Sequence, residues 1–469
     1  MLQVFLKSIT AGSYFMIHHI AANPWIKLSI GVFAVFILAA PSIAQEQPAA
    51  EIDSGDTAWL LMSTALVLMM TAPGLALFYG GLVSHRNVLS TLMHSFFCMC
   101  LIGVQWVVIG YSLAFGADIG GVVGNLNHLF FFGVGPEASG SIPTLVFAMF
   151  QGAFAIITVA LITGTFAERI NFTAFFLFSL LWSTIVYDPL AHWVWGEGGW
   201  LLNLGALDFA GGTVVHISSG VSALVACIVI GKRAGYPKMG LPPHNLPFTV
   251  IGAALLWFGW FGFNAGSSLA ADGIAAIAFA TTNTAASTAG LTWAMLEWIL
   301  RGKPTVLGAA TGAVAGLVAI TPGAGFVGVP SALAIGFGAA VICYIGLYKI
   351  KGKFGYDDSL DVFGVHGLGG TWGALATGLF CSTSVNPNGA DGLFFGNPSQ
   401  LLIQLIGIAA GYAIAIVGTL VCLGIVRSVT SLRVSREEEI AGLDYALHGE
   451  AAYNLLSQGM SDAARPEEY

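Results

Sequence analysis

The sequence predicts an all-α polytopic membrane protein, with eleven transmembrane helices arranged as two inverted five-helix repeats plus an eleventh helix. Three observations carry this expectation. Of 469 residues, 56% are hydrophobic and only 9% charged, whereas a soluble domain carries roughly 25% charged residues. The apolar residues gather in runs that can each supply the ~20 residues a bilayer core demands. Lys and Arg fall in every second connection only.

Taken from the N-terminus, residues 1–44 read as a cleaved secretory signal peptide. Lys27 precedes a short apolar run over 28–40, and Pro41-Ser42-Ile43-Ala44 offers a small-x-small cleavage site. That run is too short to span easily, although a retained extra helix is the alternative. The leader is long for a signal, and a start at Met16 would account for that. Spans are then expected near 57–80, 91–115, 145–166, 172–190, 210–231, 246–268, 274–300, 304–321, 330–350, 362–382 and 400–427. The transmembrane domain therefore covers 45–427, and 428–469 forms a polar tail.

Arg86, Arg169, Lys232 with Arg233 and Lys238, Arg301 with Lys303, Lys349 to Lys353 and the arginines of the tail all lie on one side. The positive-inside rule puts that side in the cytoplasm, with the mature N-terminus outside and the C-terminus inside a bacterial inner membrane. Because five is an odd number of spans, the two halves are inverted relative to each other. Such repeats place their sites where the halves meet, near mid-bilayer.

The 61 glycines let membrane helices approach closely, and Gly308, Gly312 and Gly316 repeat the small-xxx-small spacing of a packing face. The six cysteines form no C-x-x-C pair, so neither a metal site nor a disulfide framework is indicated. A net charge of −8 gives no nucleic-acid footprint.

Two histidines, His216 and His366, fall inside membrane-length apolar runs, in spans five and ten. An ionisable side chain at membrane depth is costly and marks a function by default. One such histidine alone could equally be a satisfied polar bridge between helices. Two at mirrored positions in Gly-rich segments point to a conduction path. Asp208 precedes His216 by eight residues and reads as the N-cap of span five, or as a group on the same helical face. Asp361, five residues before His366, faces elsewhere and reads as a cap or anchor on the inner side. Glu168 and Arg169 read as structural.

Phe150 and Phe154 are i,i+4 in span three, Trp195 lies in the loop after span four, and Phe263 and Ser267 are i,i+4 at the outer end of span six. Ring faces attract cations by about 0.5–2 kcal/mol per contact, and a hydroxyl can accept from an N–H donor. The group suits a small cation. An interfacial aromatic belt with packed phenylalanines is the other reading.

The strings ALFYGGL, FQGAFA, GTFAERI, LDFAGGTVVHI, PPHNLP, GWFGFNAGS, LRGKPT, DVFGVHG and GLDYALHGE occur in order across about 57–454. Together they resemble the ammonium transporter family, in its Amt/Mep branch. The resemblance implies a homotrimer with one pore per protomer and no cofactor. It implies that Phe154, Trp195 and Ser267 recruit ammonium outside, that Phe154 and Phe263 form a stacked gate with Phe150 beside them, and that His216 and His366 line the pore. Methylammonium would serve as a substrate analogue. A PII-type nitrogen-regulatory protein is the implied partner at the cytoplasmic face, where the tail packs beneath the trimer.

The expected function is therefore transport. Ammonium is bound outside, loses its proton near the gate and passes as ammonia, because an isolated ion in a dry interior costs far more than deprotonation. The second reading is an ammonium sensor signalling through the tail. An enzyme is not expected, since no nucleophile, His-x-x-x-His pair or carboxylate cluster accompanies the histidines.

Overall fold

The computed structural model describes residues 51–237 and 242–453; the expected leader and the end of the tail lie outside them. The described chain is mostly helical; strands pair in two short antiparallel hairpins in the connection after the second helix, which match Asp118 with Gly124 and Ala138 with Pro143, and a lone bridge joins Ile170 to Arg433.

Eight helical segments are long and apolar enough to cross a membrane. They are α1 (Ser54–Leu82), α2 (Val88–Phe115), α3 (Thr144–Thr165), α4 (Phe172–Leu204), α5 (Gly212–Ile230), α6 (Leu246–Ser268), α9 (Val329–Phe354) and α11 (Pro398–Val429). Three more fall short of that measure, by length or by composition: α7 (Gly273–Arg301), α8 (Val306–Ile320) and α10, which runs through Phe363–Gly367 and Leu368–Phe380. These three are rich in Gly, Ala and Thr, residues suited to packing against protein more than to facing lipid. The tail adds α12 (Arg436–Ala441) and α13 (Leu443–His448).

Polar side chains set many of the helix starts. Asp53 accepts from Asp56 N at 2.9 Å, Asn171 from Thr173 N at 2.9 Å, Asn245 from Phe248 N at 3.0 Å and Asp272 from Ala275 N at 2.8 Å. Each satisfies a backbone donor that the first turn leaves without an intrahelical partner. The start of α2 borrows its acceptor from the tail, with Asp444 Oδ1 accepting from Ser90 N at 2.8 Å. In α1 a widened π-type turn over Met70–Leu75 contains Pro73, whose ring offers no N–H to the helix ladder.

Helix α8 lies tightly against α7 because small residues face it. A Cβ on Gly312 would stand 2.5 Å from Trp293 Cβ, and one on Gly316 2.4 Å from the Ala285 carbonyl. The three-glycine stripe is thus packing, and chemistry is left to another pair of helices. That pair is α5 and α10, which cross backbone to backbone: a Cβ on Gly220 would meet Gly367 N at 2.1 Å. The crossing sets where His216 and His366 can stand.

Candidate functional site

His216 and His366 both sit in π-type turns, Gly212–Ile217 and Phe363–Gly367, and Phe263 occupies a third, Phe261–Ala265. Such a turn inserts one residue and re-aims its side chains, and is found frequently at functional sites. The two imidazoles are buried, with ring centroids 5.3 Å apart and planes 27° from parallel. His366 Nδ1 stands 3.2 Å from His216 Nδ1. One of these nitrogens donates and the other accepts, so the rings hold opposite tautomers. His216 Nε2 has no hydrogen-bond partner in the described structure.

The aromatic residues stack onward from His216. Phe263 lies 5.9 Å from its ring at 21°, and Phe154 lies 4.3 Å from Phe263 at 37°. Trp195 meets Phe154 edge to face at 6.1 Å, and Phe150 supports Phe154 from behind at 4.9 Å. Phe150, Phe154 and Phe263 are buried, whereas Trp195 and Ser267 are half-buried at the open end. Ser267 Oγ donates to the Phe263 carbonyl at 2.8 Å, and Trp195 Nε1 donates to the Asp208 carbonyl at 2.8 Å. Both polar groups are thereby pinned, and the hydroxyl lone pairs remain able to accept. Trp195 is the last residue of a helical stretch, Asp188–Trp195, rather than part of the following loop. The helix runs on to Trp195, five residues beyond the end expected at 190, before α4 is interrupted at Gly196 and resumes over Trp200–Leu204.

Asp208 is a cap. Its carboxylate accepts from the backbone N–H groups of Gly211, Gly212, Thr213 and Val214 at 2.9, 2.6, 2.7 and 3.2 Å. Gly211 makes the turn possible with φ 111°, a conformation costly for a residue with a Cβ. Asp361 lies apart from the aromatic column. It pairs with Lys351 Nζ at 2.6 Å, while the start of α10 is capped by Asp358, which accepts from Phe363 N at 2.8 Å. Asp361 is an anchor, and the cap falls to a residue that the Asp-Asp run at 357–358 hides in an ordinary loop.

One residue outside the expected set completes the column. Trp260 stacks on His216 at 5.4 Å and 24°, held by Nε1 donating to Thr321 Oγ1 at 2.9 Å. Its place three residues before Phe263 on the same helix was the available signal. Trp260, Phe263, His216 and His366 enclose, with Leu75, Phe78, Leu161 and Val215, a cavity of about 10 Å³. That is about one probe sphere, room for a single water-sized molecule. His366 also lines a second, 610 Å³ cavity, with Tyr79, Glu297, Tyr348, Lys351 and Asp361 at its walls. The column thus leads from a half-polar opening, through stacked rings and an apolar chamber, to a wider vestibule whose wall carries Glu297, Lys351 and Asp361.

The sequence matches the model of the Ammonium Transporter Family over residues 58–453. The chain belongs to that family. It is 53% identical over 402 residues to an ammonium transporter of Bacillus subtilis, covering 85% of this chain and 98% of that one. It is 48% identical over 400 residues to ammonium transporter Amt1 of Archaeoglobus fulgidus, covering 85% and 99%. Its fold is similar to the crystal structure of Saccharomyces cerevisiae Mep2, with TM-score 0.78 and 36% identity over 83% of this chain and 89% of that one. A solved sensor Amt protein matches with TM-score 0.78 and 29% identity over 84% and 98%. As a member of the ammonium transporter family this is a multi-pass membrane protein whose substrate is ammonium. No group of three or more His, Cys, Asp or Glu able to hold a metal occurs among the described residues.

Proposed function

We propose that the protein recruits ammonium at Phe154, Trp195 and Ser267, takes its proton at the constriction, and conducts ammonia past His216 and His366 with net proton transfer. The observation that carries this reading is the unbroken column from the half-exposed Ser267 and Trp195, through Phe154 on Phe263, to the paired imidazoles. At the opening, ring faces and a hydroxyl supply a few kcal/mol to a cation. Below them the chamber is lined almost entirely by apolar groups, where an unpaired charge costs far more. A species that sheds its proton escapes that cost. Potassium, with no proton to lose, does not.

The histidine pair offers the proton a route. A proton arriving at His216 Nε2 lets the Nδ1 proton shift across the 3.2 Å contact, and His366 Nε2 then releases one towards the vestibule that His366 lines. Each imidazole gains one proton and loses one, and the pair ends with its tautomers exchanged. The test is ammonium-evoked current in proteoliposomes containing the parent, Ser267→Leu and His216→Asp proteins. Ser267→Leu is expected to raise the ammonium concentration giving half-maximal current, and His216→Asp to alter selectivity or abolish current. Unchanged behaviour in both variants would remove the site assignment.

The charged connections support a cytoplasmic vestibule and tail, an outward opening, and the bacterial inner membrane as the location. The resemblance to the family supports the homotrimer and a PII-type protein meeting the tail of residues 428–469, while Lys27, the short apolar run over 28–40 and the small-x-small site at 41–44 support a cleaved leader over 1–44 ahead of a transmembrane domain over 45–427. The likeness to a sensor Amt protein favours a second reading, in which ammonium binding is signalled through the tail.

A further inference from the structure

We propose that the junction between α11 and the tail is a binding site for the phosphate headgroup of an anionic membrane phospholipid. A cavity of about 540 Å³ opens there, lined by Arg427, Ser428, Thr430, Ser431 and Arg433, with the apolar ends of α5 and α11 at its rim. Arg433 is already engaged, since it donates to Glu439 at 2.6 Å. Arg427 is exposed and has no ion pair among the described residues. Ser428 Oγ and Ser431 Oγ already donate to the Ile425 and Arg433 carbonyls, each at 2.7 Å, so the site presents one uncompensated guanidinium beside the Thr430 hydroxyl, donors that match phosphate oxygens.

The helix leading into the cavity identifies the source of the phosphate. Val417, Val421, Ile425 and Val429 are all exposed on α11, and their spacing of four places them along one face. Twelve residues of helix rise about 18 Å, close to the ~15 Å depth of one leaflet of a ~30 Å hydrocarbon core. On α5, Val229 is exposed at the same rim, next to the exposed Ile228. An acyl chain lying on that stripe brings its headgroup to Arg427, whereas a free phosphate has no use for the stripe. Because Arg433 and Glu439 join the cavity wall to α12, a lipid seated there also abuts the tail.

The test is native mass spectrometry of the full chain released from vesicles of phosphatidylglycerol mixed with phosphatidylcholine. The parent is expected to retain phosphatidylglycerol preferentially. Arg427→Ala should weaken that retention about fivefold, the effect of one arginine near an anionic surface, Arg427→Lys should restore most of it, and Arg301→Ala, elsewhere on the same side, should leave it unchanged. Equal retention of both lipids by the parent and by Arg427→Ala would overturn the proposal. So would inorganic phosphate displacing the lipid at equal concentration, which would make this a soluble-anion site. Arg427 is exposed, so its replacement does not threaten the fold, and a matching thermal midpoint for the variant checks this.

Discussion

Asp208 shows how one carboxylate positions a pore. It accepts from four successive backbone N–H groups, while its own carbonyl accepts from Trp195 Nε1. The same residue thus fixes the start of α5, which carries His216, and the ring at the opening. Hydrogen bonds to a charged acceptor contribute about 1.5–3 kcal/mol each, and donors left buried without a partner cost a comparable amount. Asp208→Ala is therefore expected to lower stability by several kcal/mol and to abolish transport, and Asp208→Asn, which keeps one accepting oxygen, to fall between. Thermal midpoints in detergent together with ammonium-evoked current check this. An Asp208→Ala protein as stable as the parent would show that the four contacts are not what holds α5. At this scale the sequence is most informative where a residue violates its surroundings. His216 and His366 stand out because they are ionisable at membrane depth. Trp260 does not, since tryptophan is unremarkable in an apolar run. Asp358 does not either, because two adjacent aspartates in a polar connection carry no signal of which one turns inward.

Among the elements, the apolar runs are legible because length and hydropathy are local properties, whereas the π-type turns are not. Widening one turn by a residue leaves the composition unchanged, so nothing in FGVHG or GTVVHI reports that the ladder opens there. The small residues of α8 and α10 have a packing cause: Gly312, Gly316 and Gly369 face neighbouring helices at distances that leave little or no room for a side chain. The α5–α10 crossing is the sharpest case. A methyl on Gly220 would stand 2.1 Å from Gly367 N and 2.4 Å from its Cα, so backbone has to move. Overpacking of this kind costs about 1–3 kcal/mol or more. Gly220→Ala is expected to spread the two helices, lengthen the His216–His366 contact and reduce current strongly, with a smaller loss of thermal stability. If Gly220→Ala carried the parent's current, the crossing would not be what sets the imidazole spacing.

Across the whole molecule, the helices are tied together at the end opposite the aromatic opening by a collar of charged loops that no single segment of sequence announces. Arg233 donates to Glu168 at 2.6 Å and to Asp357 at 2.7 Å. Glu168 also accepts from Ser84 N and Asn87 Nδ2, and Arg169 donates to Gly231, Ser359 and Asp357. Glu439 of the tail joins by accepting from Ala234 N at 2.6 Å. Four separate connections and the tail meet here, all outside the spans, and the side chains of Arg233, Glu168 and Asp357 are only 10%, 6% and 0% exposed. For both carboxyls burial pushes the pKa up, but Arg233 and the neighbouring donors outweigh it and hold each below its ordinary value. A carboxyl depressed in the folded state contributes stability that is fully present above the ordinary carboxylate range of about 4 and is lost as pH falls through the depressed value. The parent's thermal midpoint should therefore vary little from this source near neutral pH and drop on acidification below about 4. Arg233→Ala, which strands two buried carboxylates, is expected to cost about 3–5 kcal/mol at pH 7 and to lose most of that acid-dependent drop, because its carboxyls no longer favour the charged form. Melting curves of the two proteins across pH 3–7 decide the matter: parallel profiles would mean that the collar's charges do not hold the loops and the tail together.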